Sequence, residues 1–417
     1  MDYLKKHALT TIQYIRALAK WVIVSGLVGL TGGLVGTMFH WAIDVCTDIR
    51  IENPWIILFL PIAGLIIVWI YRLEHVVGCG TNTVIESIQS GEKIPAALIP
   101  AIFAGSVLTH LAGGSAGREG AALQLGGGIG YNVGRLLRLD DRDIRMAVLC
   151  GMSGLFSALF GTPITATIFA IEVISVGIVY YAALVPCLLS AIIGSSIASL
   201  CGVAPTSYVI ASPAGFEFGT FIAVACMACI FAVVSILFCF TMRRGESFIE
   251  KFLPNPYVRA FTGGLVIIAL TGVFGVNVYN GAGMDVIADA MDGTARPEAF
   301  FLKIVFTAIT IGCGFKGGEV VPTFFIGATL GCVLGPVFGV APEFSAALGL
   351  VSLFCGVVNC PVTSMFLALE LFGGGGAIYF AVSCAFSYML SGYYGLYPSQ
   401  KIVYSKLKTE FINTKAR

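Results

Sequence analysis

Charge is what this sequence has least of: 11% of its 417 residues are Asp, Glu, Lys or Arg, against roughly 25% in an average soluble domain. One large buried core does not explain the deficit, because soluble domains beyond ~250–300 residues split rather than enlarge their cores. Histidine is scarcer still. The four present, His7, His40, His75 and His110, have no metal-ligand spacing, and no nucleophile–base pattern accompanies them. An enzyme, a metal centre and a bound cofactor are therefore not expected. A formal net charge of +1 offers nucleic acid no general attraction. No small-residue cleavage site follows the first apolar run at short distance, so no cleaved signal peptide is expected. The 13 cysteines lie scattered through apolar segments. The one Cys-x-x-Cys, Cys226 and Cys229, sits inside a hydrophobic run, where buried cysteine acts as a small hydrophobe.

What is present is apolar length. Trp21–Ile43, Trp55–Tyr71 and Phe218–Met242 carry no charge, and each approaches or exceeds the ~20 residues that cross a hydrocarbon layer. The chain is read as an all-α polytopic membrane protein. Gly80–Gly91 and Glu119–Gly134 are shorter and punctuated by glycine, of which the chain has 51. Broken and re-entrant helices are expected there, a form tolerated at membrane depth only inside protein or beside a water-filled cavity.

Basic residues gather in three places: Lys5, Lys6, Arg16 and Lys20; Arg243, Arg244 and Lys251; and Lys401, Lys406, Lys408, Lys415 and Arg417. The excess of Lys and Arg on the cytoplasmic side of membrane proteins assigns all three inward. Gly281–Glu298 holds Asp285, Asp289, Asp292 and Glu298 against Arg296 alone, and reads as external. Both termini are thus expected in the cytoplasm, with an even number of crossings of a cell membrane.

An internal repeat is also legible. Pro163-Ile-Thr-Ala-Thr-Ile-Phe-Ala-Ile-Glu172 returns as Pro361-Val-Thr-Ser-Met-Phe-Leu-Ala-Leu-Glu370. Upstream of each lies a glycine-flanked glutamate, in Gly117-Arg118-Glu119-Gly120 and Gly317-Gly318-Glu319. Apolar helices resemble one another by chance, but proline and glutamate at equal spacing with a second motif in the same order favour duplication. Repeats of this kind mark secondary transporters, with the site where interrupted helices of the two halves meet.

Glu119 opens a helix after Gly113-Gly-Ser-Ala-Gly117. The free amides of such a start attract anions without a full positive charge, and a carboxylate there can occupy the place of a bound anion. Its protonation would vacate that place. A carboxylate that merely complements the helix dipole is the plainer alternative, but ionisable groups at membrane depth are costly and usually functional. Arg118 reads as an anchor for the loop. Glu319 reads as the symmetric partner of Glu119, weighed evenly against a polar residue at a wet helix mouth, with Lys316 as a neutralising neighbour. Glu172 and Glu370 read as structural acids, a proton path through Glu172 being the lesser reading. Gly78-Cys79-Gly80-Thr-Asn82 offers exposed amides, with Cys79 and Asn82 as contacts. Tyr397, in Gly395-Leu-Tyr-Pro398, is expected to begin a last amphipathic helix, its hydroxyl aimed at a site or resting in an interfacial belt.

These stretches, in this order, resemble the CLC family of chloride channels and proton-coupled anion antiporters. Gly117-Arg-Glu-Gly120 matches the family's gating-glutamate motif, and the likeness covers the transmembrane chain. The resemblance implies a homodimer with one pore per subunit, and two inverted repeats, here 18–204 and 217–397, in a single transport domain without a cytoplasmic regulatory domain. It implies an anion site made by Cys79, Gly80, Asn82, Gly117, Arg118, Gly120, Gly318, Val320, Val321 and Tyr397, with Glu119 gating. The departures are informative. Chloride-selective members typically place serine at Cys79, proline at Asn82 and an apolar residue at Glu319. Gly-Gly-Glu-Val-x-Pro and Asn82 are more like the bacterial fluoride-exporting branch, although that branch usually carries threonine at Val321 and sometimes methionine at Cys79. The proton-relay glutamate of chloride antiporters falls at Val173, so Glu319 is expected to carry the proton instead. Proton-coupled export of fluoride is the favoured expectation; chloride/proton antiport and a passive chloride channel are the alternatives.

Overall fold

The computed structural model describes residues 2–211, 213, 215–275 and 277–417, with side chains from residue 11 onward. Lys5, Lys6 and His7 therefore lie outside the described side chains. The chain begins with α1 (Asp2–Glu52), which contains the Trp21–Ile43 run. A 3-10 turn with Pro54 at its start leads into α2 (Leu60–Leu73), which carries the chain back. The short α3 (Thr81–Ser90) and α4 (Leu98–Leu111) follow. Then come α5 (Glu119–Leu136), α6 (Asp141–Phe160), α7 (Pro163–Glu172), the two-residue β1 (Ser175–Val176) and α8 (Leu184–Leu200). The rest of the chain forms α9 (Phe218–Phe252), α10 (Pro256–Phe274), α11 (Met284–Met291), α12 (Ala299–Gly312), α13 (Val320–Val337), α14 (Pro342–Val358), α15 (Pro361–Phe372) and α16 (Ala377–Leu390). It ends in β2 (Lys401–Tyr404) and β3 (Phe411–Lys415).

Seven helical stretches among the described residues are long and apolar enough to cross a membrane, and six apolar helices are shorter. The outward surface of α1 exposes Ile15, Leu18, Ile23, Leu30, Met38 and Trp41, a face that needs lipid rather than water. Cys226 is exposed on α9 and Cys229 partly so. The buried placement expected for this pair does not hold, since an apolar side chain on a lipid-facing helix need not be buried in protein.

Local chemistry fixes the helix ends. Pro163 and Pro361 open α7 and α15, where a missing amide hydrogen costs nothing. Gly161 and Asn359 close α6 and α14 in the left-handed region. Helices α5 and α6 pack through backbone at Gly126, Gly130 and Gly151, and α13 and α14 do so at Gly327, Gly331 and Gly349. The same packing device thus recurs in the same order, in line with the repeat.

The chain is not purely helical. Strands β1, β2 and β3 form a small sheet in that order, β1–β2 parallel and β2–β3 antiparallel. The amphipathic helix expected after Tyr397 is therefore absent, and the tail folds back as a hairpin. Gln400 explains the geometry. Its amide nitrogen donates to Val173 O (2.8 Å) and Val358 O (2.9 Å), the carbonyls left open where α7 and α14 end. That bridge pins the chain in extended form beside β1, and the ladder follows.

Candidate functional site

The two interrupted helix starts meet. Gly117 and Gly318 exchange amide hydrogen bonds, Gly117 N to Gly318 O at 2.7 Å and Gly318 N to Gly117 O at 2.6 Å, as an antiparallel bridge. Glycine is required here by proximity: a Cβ on Gly117 would stand 2.8 Å from Val321 Cβ, and one on Gly120 2.7 Å from Gly318 Cα. The pairing also corrects the repeat register. If Gly117 answers Gly318, then Arg118 answers Glu319 and Glu119 answers Val320. Both α5 and α13 agree, with Arg118 and Glu319 as their respective N-caps. Glu319 is therefore not the symmetric partner of Glu119 but sits one residue earlier on its helix start.

The bridge changes which amides remain for a ligand. Those of Gly117 and Gly318 are spent on each other, so these residues shape the site and donate nothing. In the first loop, Cys79 N donates to Val76 O (3.0 Å) and Gly80 N to Thr83 Oγ1 (3.1 Å). The exposed amides expected at Cys79 and Gly80 are thus internally paired. The first-turn amides of α3 and α13, those of Thr81, Asn82, Val320 and Val321, have no acceptor within their own helices. They are the backbone donors that these starts present.

Glu119 is fully buried. Its Oε2 accepts from Arg118 N at 3.0 Å and its Oε1 from Arg118 Nε at 3.3 Å, and its own backbone amide also points to the carboxylate. The carboxylate thus curls onto its own helix start. Arg118 reaches the other way: Nη1 meets His40 Nδ1 at 2.6 Å and Asp44 Oδ1 at 3.2 Å, while His40 Nε2 stands 3.0 Å from Asp44 Oδ2. Guanidinium only donates, so His40 Nδ1 accepts and Nε2 carries the proton shared with Asp44. Arg118 thus ties the loop to α1. His40 and Asp44 had a detectable signal, one helical turn apart on α1, but nothing in the sequence pointed them at Arg118.

Two cavities approach this junction from opposite ends of α10. One, about 460 Å³, is lined by Cys79, Gly80, Asn82, Lys316, Glu319 and Tyr397, together with residues near the start of α10. The other, about 470 Å³, lies beyond its far end against Asp44, Arg118, Asp285 and Asp289. In the first cavity Asn82 Oδ1 accepts from Ser399 N (3.1 Å), which leaves its amide nitrogen as the end available to an anion. Tyr397 is 2% exposed and its hydroxyl has no hydrogen-bond partner. That burial removes it from an interfacial belt. Lys316 makes no ion pair with Glu319; its ammonium lies 4.4 Å over the Tyr71 ring instead.

The repeated acids have a structural role. Glu172, at the end of α7, accepts from Val362 N (3.2 Å), Thr363 N (2.8 Å) and Thr363 Oγ1 (2.5 Å) at the start of α15. Glu370, at the end of α15, accepts from Ile164 N (3.0 Å) and Thr165 N (2.7 Å) at the start of α7. Each caps the helix of the other copy, a contribution of ~1 kcal/mol per cap. No cluster of His, Cys, Asp or Glu among the described residues has the arrangement of a metal site.

The family described as voltage gated chloride channel matches residues 63–392. The chain belongs to the CLC family. It is a CLC-type anion transporter. It is similar to a chloride/fluoride channel protein of Pseudomonas syringae pv. tomato, 34% identical over 93% of this chain and 88% of the relative. An H(+)/Cl(-) exchange transporter of Vibrio cholerae is 25% identical over 84% of this chain and 81% of its own. Among solved structures, a CLC-type fluoride/proton antiporter superposes with a TM-score of 0.89 at 34% identity, over 92% of this chain and 98% of that one. A slow cyanobacterial Cl-/H+ antiporter gives 0.75 at 17% identity, over 89% and 94%, and shares the fold.

Proposed function

We propose that this CLC protein exports fluoride from the cytoplasm in exchange for protons, as a homodimer of independent subunits. The observation that carries the reading is the pair of carboxylates on either side of the Gly117–Gly318 bridge. Glu119 is held on a helix start beside Arg118, and Glu319 lines the cavity that also contains Asn82 and Tyr397. Val173 occupies the position where chloride antiporters of the family place their inner relay acid; of the acids lining that cavity, Glu246, Glu250 and Glu319, Glu319 is the one at an interrupted helix start, and it is assigned to pass the proton. The likeness to a CLC-type fluoride/proton antiporter at 34% identity supports fluoride over chloride.

In this reading Glu119 in its charged form competes with the anion for the α5 start. A proton arriving from the Asp44–Arg118 cavity neutralises it and frees that place, and fluoride then enters from the Glu319 cavity. Fluoride accepts hydrogen bonds strongly, and hydrogen fluoride is a weak acid, so a path containing titratable partners suits it better than it suits chloride. The donors are the first-turn amides of Asn82, Val320 and Val321, the Asn82 carboxamide and the Tyr397 hydroxyl; Gly117, Gly120 and Gly318 give the approach its shape. The halves 18–204 and 217–397 are inverted copies, and both termini, with the Glu319 cavity, face the cytoplasm.

The test is efflux from proteoliposomes loaded with fluoride or chloride, with external proton movement recorded in parallel. Fluoride efflux accompanied by opposite proton movement, and exceeding chloride efflux, is expected. Equal chloride flux, or fluoride flux without protons, would refute the assignment.

A further inference from the structure

One face of the Glu319 cavity holds two polar groups that the path described so far does not use. Tyr71, near the end of α2, is 4% exposed, and its hydroxyl finds no hydrogen-bond partner. Lys316 stands beside it. Its backbone amide is tied to Thr109 Oγ1 at 3.2 Å, and its stem runs across Gly105, where any side chain would meet Lys316 Cβ and Cγ at 3.1 Å and Tyr71 Cε2 at 3.4 Å. Gly105 thereby leaves room for the two side chains to lie together, with the ammonium 4.4 Å over the Tyr71 ring. Both residues line the cavity, as do Cys79, Glu319 and Tyr397.

The charges around this pair are unbalanced. Glu250 is engaged by Arg259 at 3.1 Å. Glu246 and Glu319 line the same cavity, but among the described residues no carboxylate comes within ion-pair distance of the Lys316 ammonium, and no hydrogen bond to that nitrogen is present. Lys316 is only partly buried and lines the cavity, and an aromatic face holds a cation by about 0.5–2 kcal/mol, so its ammonium stays open to a ligand there. A buried hydroxyl left unpaired is itself costly, by roughly 1–3 kcal/mol. One occupant resolves both deficits: a small anion standing between the ammonium and the hydroxyl, accepting from each.

We propose that Lys316 and Tyr71 form a separate halide site in this cavity, ahead of the Tyr397 position, at which fluoride is collected before it reaches the helix starts. The inference rests on the anion-transport reading and adds to it a loading site. Fluoride is favoured over chloride there because a compact, strong acceptor gains most from an N–H and an O–H donor converging on one point.

The experiment measures the dependence of efflux on internal fluoride, and separately on internal chloride, in proteoliposomes containing wild type, Tyr71→Phe, Lys316→Arg or Lys316→Gln. Tyr71→Phe keeps the ring under the ammonium and removes only the hydroxyl, so it separates ligand binding from packing. It is expected to raise the fluoride KM about tenfold, the cost of one donor to a charged acceptor, with maximal rate little changed and a smaller effect on chloride. Lys316→Gln raises the KM further, while Lys316→Arg retains much of the affinity. A wild-type fluoride KM in Tyr71→Phe overturns the site, even if Lys316→Gln fails to fold. Wild-type protein that carries chloride but not fluoride, with Tyr71→Phe shifting the chloride KM, would refute fluoride export while leaving an anion site at Lys316 and Tyr71.

Discussion

Gly117 and Gly318, one from each copy of the repeat, hydrogen bond to each other in both directions, at 2.7 and 2.6 Å. This exchange joins the two interrupted helix starts into one unit. It also explains the glycines around both acids, since Gly120 leans directly on the Gly318 backbone.

Gly120→Ala therefore forces the bridge open. A Cβ there meets Gly318 Cα at 2.7 Å, and overpacking of this kind costs ~1–3 kcal/mol. The expected result is a protein that still inserts and elutes normally in size-exclusion chromatography but transports little. Full transport in this variant would mean that the bridge can shift without consequence.

Glu119→Gln removes a titratable group from the α5 start while keeping its shape and one of its two acceptor oxygens for Arg118. Fluoride accumulation driven by a pH gradient should fall to the level of protein-free liposomes. Passive fluoride flux is a separate readout and need not fall. Accumulation that persists would assign coupling to another residue.

Glu319→Gln should suppress fluoride-driven proton movement while assembly, followed by crosslinking, stays intact. The register found at Gly117 and Gly318 sharpens this expectation. Because Glu319 answers Arg118 rather than Glu119, it is not a redundant copy of the gating acid, and Glu119 cannot replace it. Coupling equal to wild type would remove Glu319 from the proton path and assign the relay to another residue.

Tyr397→Phe isolates the orphaned hydroxyl. A donor to a charged acceptor is worth ~1.5–3 kcal/mol, so fluoride affinity should drop by roughly tenfold or more, with thermal stability unchanged because no protein partner is lost. Unchanged affinity would show that the hydroxyl faces the path without touching the ion.

Lys406 offers a stability test outside the spanning segments. Its ammonium donates to Asn359 Oδ1, Tyr388 O and Ser391 Oγ, yet burial pushes it down from the ordinary lysine value to about 8. The unfolded chain then binds more protons than the folded one between about pH 8 and pH 10.5, so this group makes stability rise with pH across that window. Thermal unfolding in detergent should show that rise in wild type and lose it in Lys406→Met. An identical slope in both would assign the pH dependence elsewhere.

Much of this molecule is legible in its sequence. The charge-free runs at Trp21–Ile43 and Phe218–Met242 announced lipid, because no water-facing helix of that length can omit charge. The order of Gly117-Arg-Glu-Gly120, Pro163–Glu172 and their later copies announced the repeat, because caps and prolines occupy set positions on helices. Glu119 stood out for the same reason: a carboxylate among glycines at a helix start is a costly choice without a use.

Other features depended on contacts between residues far apart in the chain. Sequence alone sets the repeat register one residue off, because Glu119 and Glu319 look alike there, while only the Gly117–Gly318 hydrogen bonds say which positions face each other. The tail after Tyr397 has a helix-compatible composition, but Gln400 finds carbonyls at Val173 and Val358 and the segment becomes a strand. Amides at Cys79 and Gly80 appear free in a glycine-rich loop until Val76 and Thr83 take them. The sequence by itself determined which segments are apolar, where helices start and stop, and which acids stand at those starts, since these follow from local solvation and backbone preference. Only the tertiary structure decided which donors remain open, which charges go unpaired and which residues converge on one cavity, because a hydrogen bond between distant segments exists only once folding has brought its two ends together.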